Sequence, residues 1–169
     1  QAGPHPVVLR IPPIRDDRAA ARTHMEEGLA AGIDGLVLPH VETVEDVALA
    51  TEVAGDRLWP LNPDGDVLNV ILIEDRSGIA LARELVGAPG VGVAIPGPGD
   101  LRRAYEGDME AVENAIQTVL AACQECDAPR GIAAGPDDIA ERLEQGFEMI
   151  IVTRPEALAV GLQASGRGG

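Results

Sequence analysis

Glu74 and Asp100 are the residues in this sequence whose type and setting best suit chemistry. Glu74 ends the apolar run Val70-Ile71-Leu72-Ile73, and Asp100 follows the next apolar run, Val91 to Ile95, in the turn Pro96-Gly97-Pro98-Gly99-Asp100. Such runs predict strands buried on both faces, so two neighbouring strand ends would place two carboxylates close together. Hard cations take oxygens of this kind. Mg²⁺ commonly binds one or two carboxylates, keeps several waters and leaves positions for substrate oxygens, and Mn²⁺ or Co²⁺ can use the same donors. Spacing alone leaves a second reading open, in which each carboxylate pairs with an Arg or caps a helix, Glu74 with Arg76 nearby and Asp100 at the start of a helix.

Other strand ends add groups of the same character. Arg10 closes the first apolar run, where a guanidinium can take a substrate carboxylate in two-pronged fashion, steady a developing oxyanion, or simply form a surface ion pair. His40 follows Pro39 at the next strand end and is either a proton-transfer or hydrogen-bonding group or a structural histidine. The Gly97-Pro98-Gly99 turn admits an anion to backbone N–H groups at Gly99 and Asp100, with an ordinary tight turn as the alternative. It is neither a Walker loop nor a dinucleotide fingerprint, because the required Lys and third Gly are missing from their positions. Glu42, Asp75, Arg76 and Thr153 also sit at strand ends, without an assigned role.

The elements that must position these groups alternate throughout. Predicted strands cover Val7-Ile11, Gly35-Pro39, Asn69-Ile73, Val91-Ile95, Gly131-Ala134 and Met149-Val152, with helical patterns between them. Asp16 or Asp17 opens a helix that closes at Gly32, Thr43 opens one that closes near Gly55, Ser77 opens one ending at Gly87, and Asp108 opens a long one ending before Pro129. Pro136 and Pro155 are expected in first turns. The stripe Met109, Val112, Ile116, Val119, Leu120 and Cys123 predicts a buried helix face. Asp56-Leu68 reads as a surface loop, residues 1-164 as one domain, and the Gly-rich 165-169 as a mobile tail. Parallel strand-helix units of this kind form either an open doubly wound sheet or a closed eight-stranded barrel, and both carry function at the C-terminal ends of the strands.

Composition narrows the partners. A formal net charge of -15 repels phosphate backbones and anionic lipid, and one Trp, one Tyr and one Phe leave little to stack on bases, so nucleic acid and membrane surfaces are not expected. No apolar run approaches the ~20 residues of a membrane span and no signal segment opens the chain, so a cytoplasmic protein with a small-molecule partner is expected. Cys123 and Cys126 lie near the end of a helix rather than at its start, which suits two passive thiols. The chain starts at Gln1 instead of Met, as a processed or partial chain would.

Four passages together resemble the metal-dependent pyruvate aldolases of the HpcH/HpaI (citrate lyase β-like) family. They are Val8-Leu9-Arg10; Ala31-Gly32-Ile33-Asp34-Gly35 leading to Leu38-Pro39-His40-Val41-Glu42-Thr43; Ile73-Glu74; and Gly97-Pro98-Gly99-Asp100-Leu101. The resemblance implies an α/β fold of the (β/α)8 TIM-barrel type, here lacking its first two strand-helix units, with six strands visible. It further implies Glu74 and Asp100 as metal ligands, Arg10 as the catalytic residue facing the substrate oxygen, and Gly99 and Asp100 as the seat of the substrate carboxylate; His40, from its strand-end position, joins the substrate-binding candidates. The implied activity is cleavage of a 4-hydroxy-2-oxoacid to pyruvate and an aldehyde, with Mg²⁺, Mn²⁺ or Co²⁺ acting as Lewis acid on the pyruvate enolate. No Lys stands at a strand end, which argues against a Schiff-base route.

The chain departs from the family pattern in three places. The family's catalytic His belongs to a Gly-Glu-His segment that would precede Gln1. The aspartate that partners it would fall at Ala30. The connection between Gly55 and Asn69 is shorter than the family's. A barrel that binds metal and oxoacid with impaired turnover, and an acyl-CoA lyase of the same superfamily, are the alternatives, the latter needing a basic surface that this acidic chain does not show. The family also implies a homo-oligomer.

Overall fold

Apolar runs rich in Val, Ile and Leu, most of them closed by Gly, Pro or a charged residue, become short parallel strands, and the amphipathic stretches between them become the helices that return the chain. The computed structural model describes residues 5–167. In chain order it contains β1 (Val8–Arg10), α1 (Arg18–Ala31), β2 (Gly35–Leu38), α2 (Val44–Ala54), β3 (Leu58–Trp59) and β4 (Val67–Ile73). There follow α3 (Arg76–Ala80), α4 (Ala82–Val86), β5 (Val93–Pro96), α5 (Pro98–Ala104), α6 (Met109–Glu125), β6 (Gly131–Ala134), α7 (Ile139–Glu144), β7 (Met149–Val152) and α8 (Pro155–Ala164).

All strand pairs are parallel. β1 lies beside β2, β2 beside β4, and β4 beside β5, with Arg10 opposite Val37, Leu38 opposite Ile71, and Ile73 opposite Pro96. One bridge, Ala94 to Arg130, continues the order to β6, which pairs with β7. The six expected strands therefore form a single arc. Among the described residues β1 pairs only with β2 and β7 only with β6, so the six strands form an open arc and not a closed barrel.

Alternation along the strands sorts the core into two layers. Leu36, Leu38, Ile71 and Ile73 face the helices and pack with Met25, Val47, Leu85 and Val119. Val70, Leu72, Val93 and Ile95 line the inner face with Val37, Leu68 and Met149. Continuing β4 by one residue past Ile73 puts Glu74 on the inner side, in line with Val70 and Leu72. Arg10 is likewise inward, since Leu9 packs with the outer layer. No helix among the described residues is long and apolar enough to cross a membrane.

Several helix ends fall where expected. Asp17 caps α1 through bonds from the Ala19 and Ala20 N–H groups, and Gly32 closes it in the left-handed region at φ 83°. Thr43 caps α2 and Asp108 caps α6. Others do not. The helix expected from Ser77 to Gly87 is broken at Leu81, whose backbone leaves helical geometry at φ -113° and ψ 16°, and its N-cap position is held by Asp75. Ser77 instead donates its hydroxyl to Glu42. Met109, expected in the buried stripe, is 57% exposed because it is the first residue of α6, before the stripe reaches the core.

Pro136 lies in a turn ahead of α7, not in its first turn. The expected loop Asp56–Leu68 contains β3, paired with the start of β4, since Leu58 is fully buried and needs backbone partners. Ser165, Gly166 and Arg167 continue from α8 in a hydrogen-bonded turn. Gln1 and the last two tail residues, 168–169, lie outside the described residues.

Candidate functional site

The site is built around one buried carboxylate. Glu74 lies at the C-terminal end of β4 and only 2% of it is exposed. Room for it exists because residue 97, on the neighbouring strand end, is Gly: a Cβ there would overlap Glu74 Oε2. Glu74 Oε1 accepts the backbone N–H of His40 at 3.2 Å and lies 3.5 Å from Arg10 Nη2 and 3.6 Å from His40 Nε2. His40 reaches it from β2 by turning into the left-handed region at φ 52°, uncommon for a residue other than Gly.

These partners compensate Glu74 only in part. Burial pushes its carboxyl above the ordinary range, the charge of Asp100 adds to the rise, and His40, Arg10 and the bond from the His40 N–H pull it back without cancelling it. A buried carboxylate left short of positive charge suits a cation.

Asp100 occupies the third position of α5, and its side chain is turned onto Arg103 one helical turn later. No side chain caps α5, so Asp100 does not serve as a cap, and Glu74 pairs with Arg10 rather than Arg76, whose guanidinium lies 4.9 Å over the Tyr105 ring. Each carboxylate nonetheless pairs with an arginine, Glu74 with Arg10 and Asp100 with Arg103, as the ion-pair alternative expects, although Glu74 takes a different arginine. Gly99 faces open space where a side chain would stand. The fold thus brings Arg10, His40 and Glu74 into one group, with Asp100 close enough to act on Glu74 through its charge. Among the described residues no set of three or more His, Cys, Asp or Glu side chains stands arranged to hold a metal ion.

A second layer escaped sequence reasoning. Asp75 Oδ2 receives His40 Nδ1 at 2.8 Å and Arg15 Nη1 at 3.1 Å, and the same Arg15 nitrogen lies 3.0 Å from Glu42 Oε1. Arg15, from the loop after β1, thereby ties together the loops after β2 and β4. The signal available was the Glu74-Asp75 pair itself: the side chain next to an inward carboxylate faces away from the inner layer, toward the groups that support it. Ala30 has no bearing on this site within one chain. It is exposed at the end of α1, which runs back against the strands and so finishes at the opposite edge of the sheet from Glu74. Cys123 is buried, which pushes its thiol up to about 12, and Cys126 forms no disulfide with it.

Parallel strands returned by helices, with charged groups gathered at the C-terminal strand ends, define the class of α/β barrel-like proteins. No protein-family model and no curated protein sequence matches the chain. Solved structures do. An HpcH/HpaI aldolase/citrate lyase family protein from Burkholderia cenocepacia superposes with a TM-score of 0.72 at 23% identity, over 95% of this chain and 70% of that one. RipC from Yersinia pestis gives a TM-score of 0.76 at 18% identity, over 94% and 76% of the two chains. The citrate lyase beta subunit from M. tuberculosis, complexed with oxaloacetate and magnesium, gives 0.71 at 18% identity, over 94% and 74%. The chain has the fold of these proteins.

Proposed function

We propose that this chain is a member of the HpcH/HpaI aldolase/citrate lyase family and a divalent-metal-dependent carbon-carbon lyase that cleaves a 4-hydroxy-2-oxoacid to pyruvate and an aldehyde. The observation that carries the reading is the burial of Glu74 with only partial charge compensation, at a strand end next to Asp100. The fold supports it, and so do the oxoacid and magnesium bound by a protein of the same fold. Glu74 and Asp100 would hold Mg²⁺, Mn²⁺ or Co²⁺, Asp100 after leaving Arg103. A cation held there supplies Lewis-acid stabilisation of charge on a substrate oxygen.

The chain's own residues divide the remaining work. Arg10 has its side chain 56% exposed on the inner face, so it can meet Glu74 on one side and a substrate carboxylate or developing oxyanion on the other. Gly99 leaves the approach to the start of α5 open for a small carboxylate. Homo-oligomer formation belongs to the same proposal.

Oxaloacetate provides the test, because the chemistry that releases pyruvate from an aldol also decarboxylates this oxoacid. Pyruvate release with Mg²⁺, Mn²⁺ or Co²⁺ is expected to stop on chelation and to fall by about 10²-fold or more in Glu74→Gln, the loss typical of a charge-stabilising group. Release indifferent to chelator overturns the metal mechanism. The turn of Asp100 onto Arg103 favours one second reading, a barrel that binds metal and oxoacid without turnover. Calorimetric binding of pyruvate with Mn²⁺ in the absence of any product would select it.

A further inference from the structure

The His40 ring is held in a way that neither a substrate contact nor a core histidine explains. Its Nδ1 lies 2.8 Å from a carboxylate oxygen of Asp75, and that carboxylate is itself fixed by Arg15. A carboxylate only accepts, so Nδ1 carries the hydrogen, and in the neutral ring, the form that binds a metal, the lone pair belongs to Nε2. What that lone pair faces is Glu74 Oε1, at 3.6 Å. The distance is too long for a hydrogen bond. It is also within the span of two donors that share one ion at about 2.1 Å each. Carboxylate, imidazole and a vacant lone pair in series form the arrangement that orients histidine ligands in metal sites, where the outer carboxylate sets the tautomer and raises the basicity of the ring.

We propose that His40 Nε2 is a nitrogen ligand, with Glu74, for the divalent cation of this site, that Asp75 is its orienting carboxylate, and that the site consequently prefers Co²⁺ or Zn²⁺ to Mg²⁺. The inference rests on the metal reading above and adds a donor type to it. Imidazole suits borderline transition cations, whereas a set made only of carboxylate and water suits Mg²⁺. The left-handed backbone at His40 serves the same end, since it aims both the N–H and the ring of one residue at Glu74.

The experiment is calorimetric titration of the whole chain with Co²⁺ and, separately, Mg²⁺, together with the visible absorption spectrum of the Co²⁺ form. His40→Asn is the central variant, because Asn tolerates the left-handed backbone. It is expected to weaken Co²⁺ binding by tenfold or more, change Mg²⁺ binding by less than about threefold, and shift the Co²⁺ spectrum through loss of the nitrogen donor. Asp75→Asn, which leaves the ring in place, is expected to weaken Co²⁺ binding by about 10- to 100-fold. Equal Co²⁺ affinity and an unchanged spectrum in wild type and His40→Asn, with binding lost in Glu74→Gln, overturns the role of His40 and leaves the metal reading standing. Equal loss of Co²⁺ and Mg²⁺ in His40→Asn also overturns it, reducing His40 to a support for Glu74. No binding of either cation by the wild type overturns both proposals.

Discussion

Gly97 and Glu74 are packed so closely that a Cβ at residue 97 would stand 2.9 Å from the Glu74 Cβ and run into its carboxylate. The backbone of Gly97, at φ -91° and ψ 93°, is open to any residue, so the requirement for Gly here is one of space. The glycine of one strand end is thus what allows the carboxylate of its neighbour to lie buried on the inner face.

Gly97→Ala is therefore expected to displace Glu74 at little conformational cost to residue 97 itself. Overpacking of this kind destabilises by about 1–3 kcal/mol. Thermal unfolding reads that loss, and calorimetry with Mn²⁺ is expected to show weakened binding. Wild-type values of both would mean that Glu74 relaxes freely and that the close contact has no consequence.

Asn69 offers the opposite change. It is fully buried on β4, and neither its Oδ1 nor its Nδ2 has a hydrogen-bond partner. An unpartnered buried amide costs about 1–3 kcal/mol. Asn69→Leu, of the same branched shape though larger, is expected to stabilise the chain by about 1–2 kcal/mol in urea denaturation. A loss of stability would show that the amide is engaged.

The pH dependence of stability is expected to report on Glu113, which lies on α6 and takes two bonds of 2.7 Å from Arg142 on α7. Those bonds hold its carboxyl below the ordinary range. A lowered folded value stabilises the fold at pH above the unfolded value and loses that contribution as pH falls through the folded one. Glu113→Gln is expected to cost about 1 kcal/mol at neutral pH, modest because the Glu113 side chain is 41% exposed. The gap from wild type should close in acid. A gap that persists below the titration of the carboxyl would assign the loss to packing.

Much of the site's outline was legible in the chain. Residues such as Val70 to Ile73 can only be a strand buried on both sides, and the first charged residue after such a run must lie at its end, so Glu74 and Arg10 could be placed by local pattern. Asp17, Thr43 and Asp108 could be read as caps because capping involves a residue and its own next two or three N–H groups. Local rules of this kind need no knowledge of the rest of the molecule.

Tertiary structure decided what those rules do not reach. Whether Asp100 faces Glu74 or Arg103, and whether Ser77 caps its helix or donates to Glu42, depends on partners brought in by other loops. The Arg15-Asp75-His40 chain joins three strand ends that are up to 60 residues apart, so no spacing along the sequence marks it. The break at Leu81 and the pairing of Leu58 with Val67 likewise follow from packing rather than propensity. Sequence by itself determined that Glu74 would stand at a strand end with a carboxylate near it. The fold decided that it would be buried there, short of positive charge and faced by an imidazole, because desolvation and long-range contacts exist only once the strands are side by side.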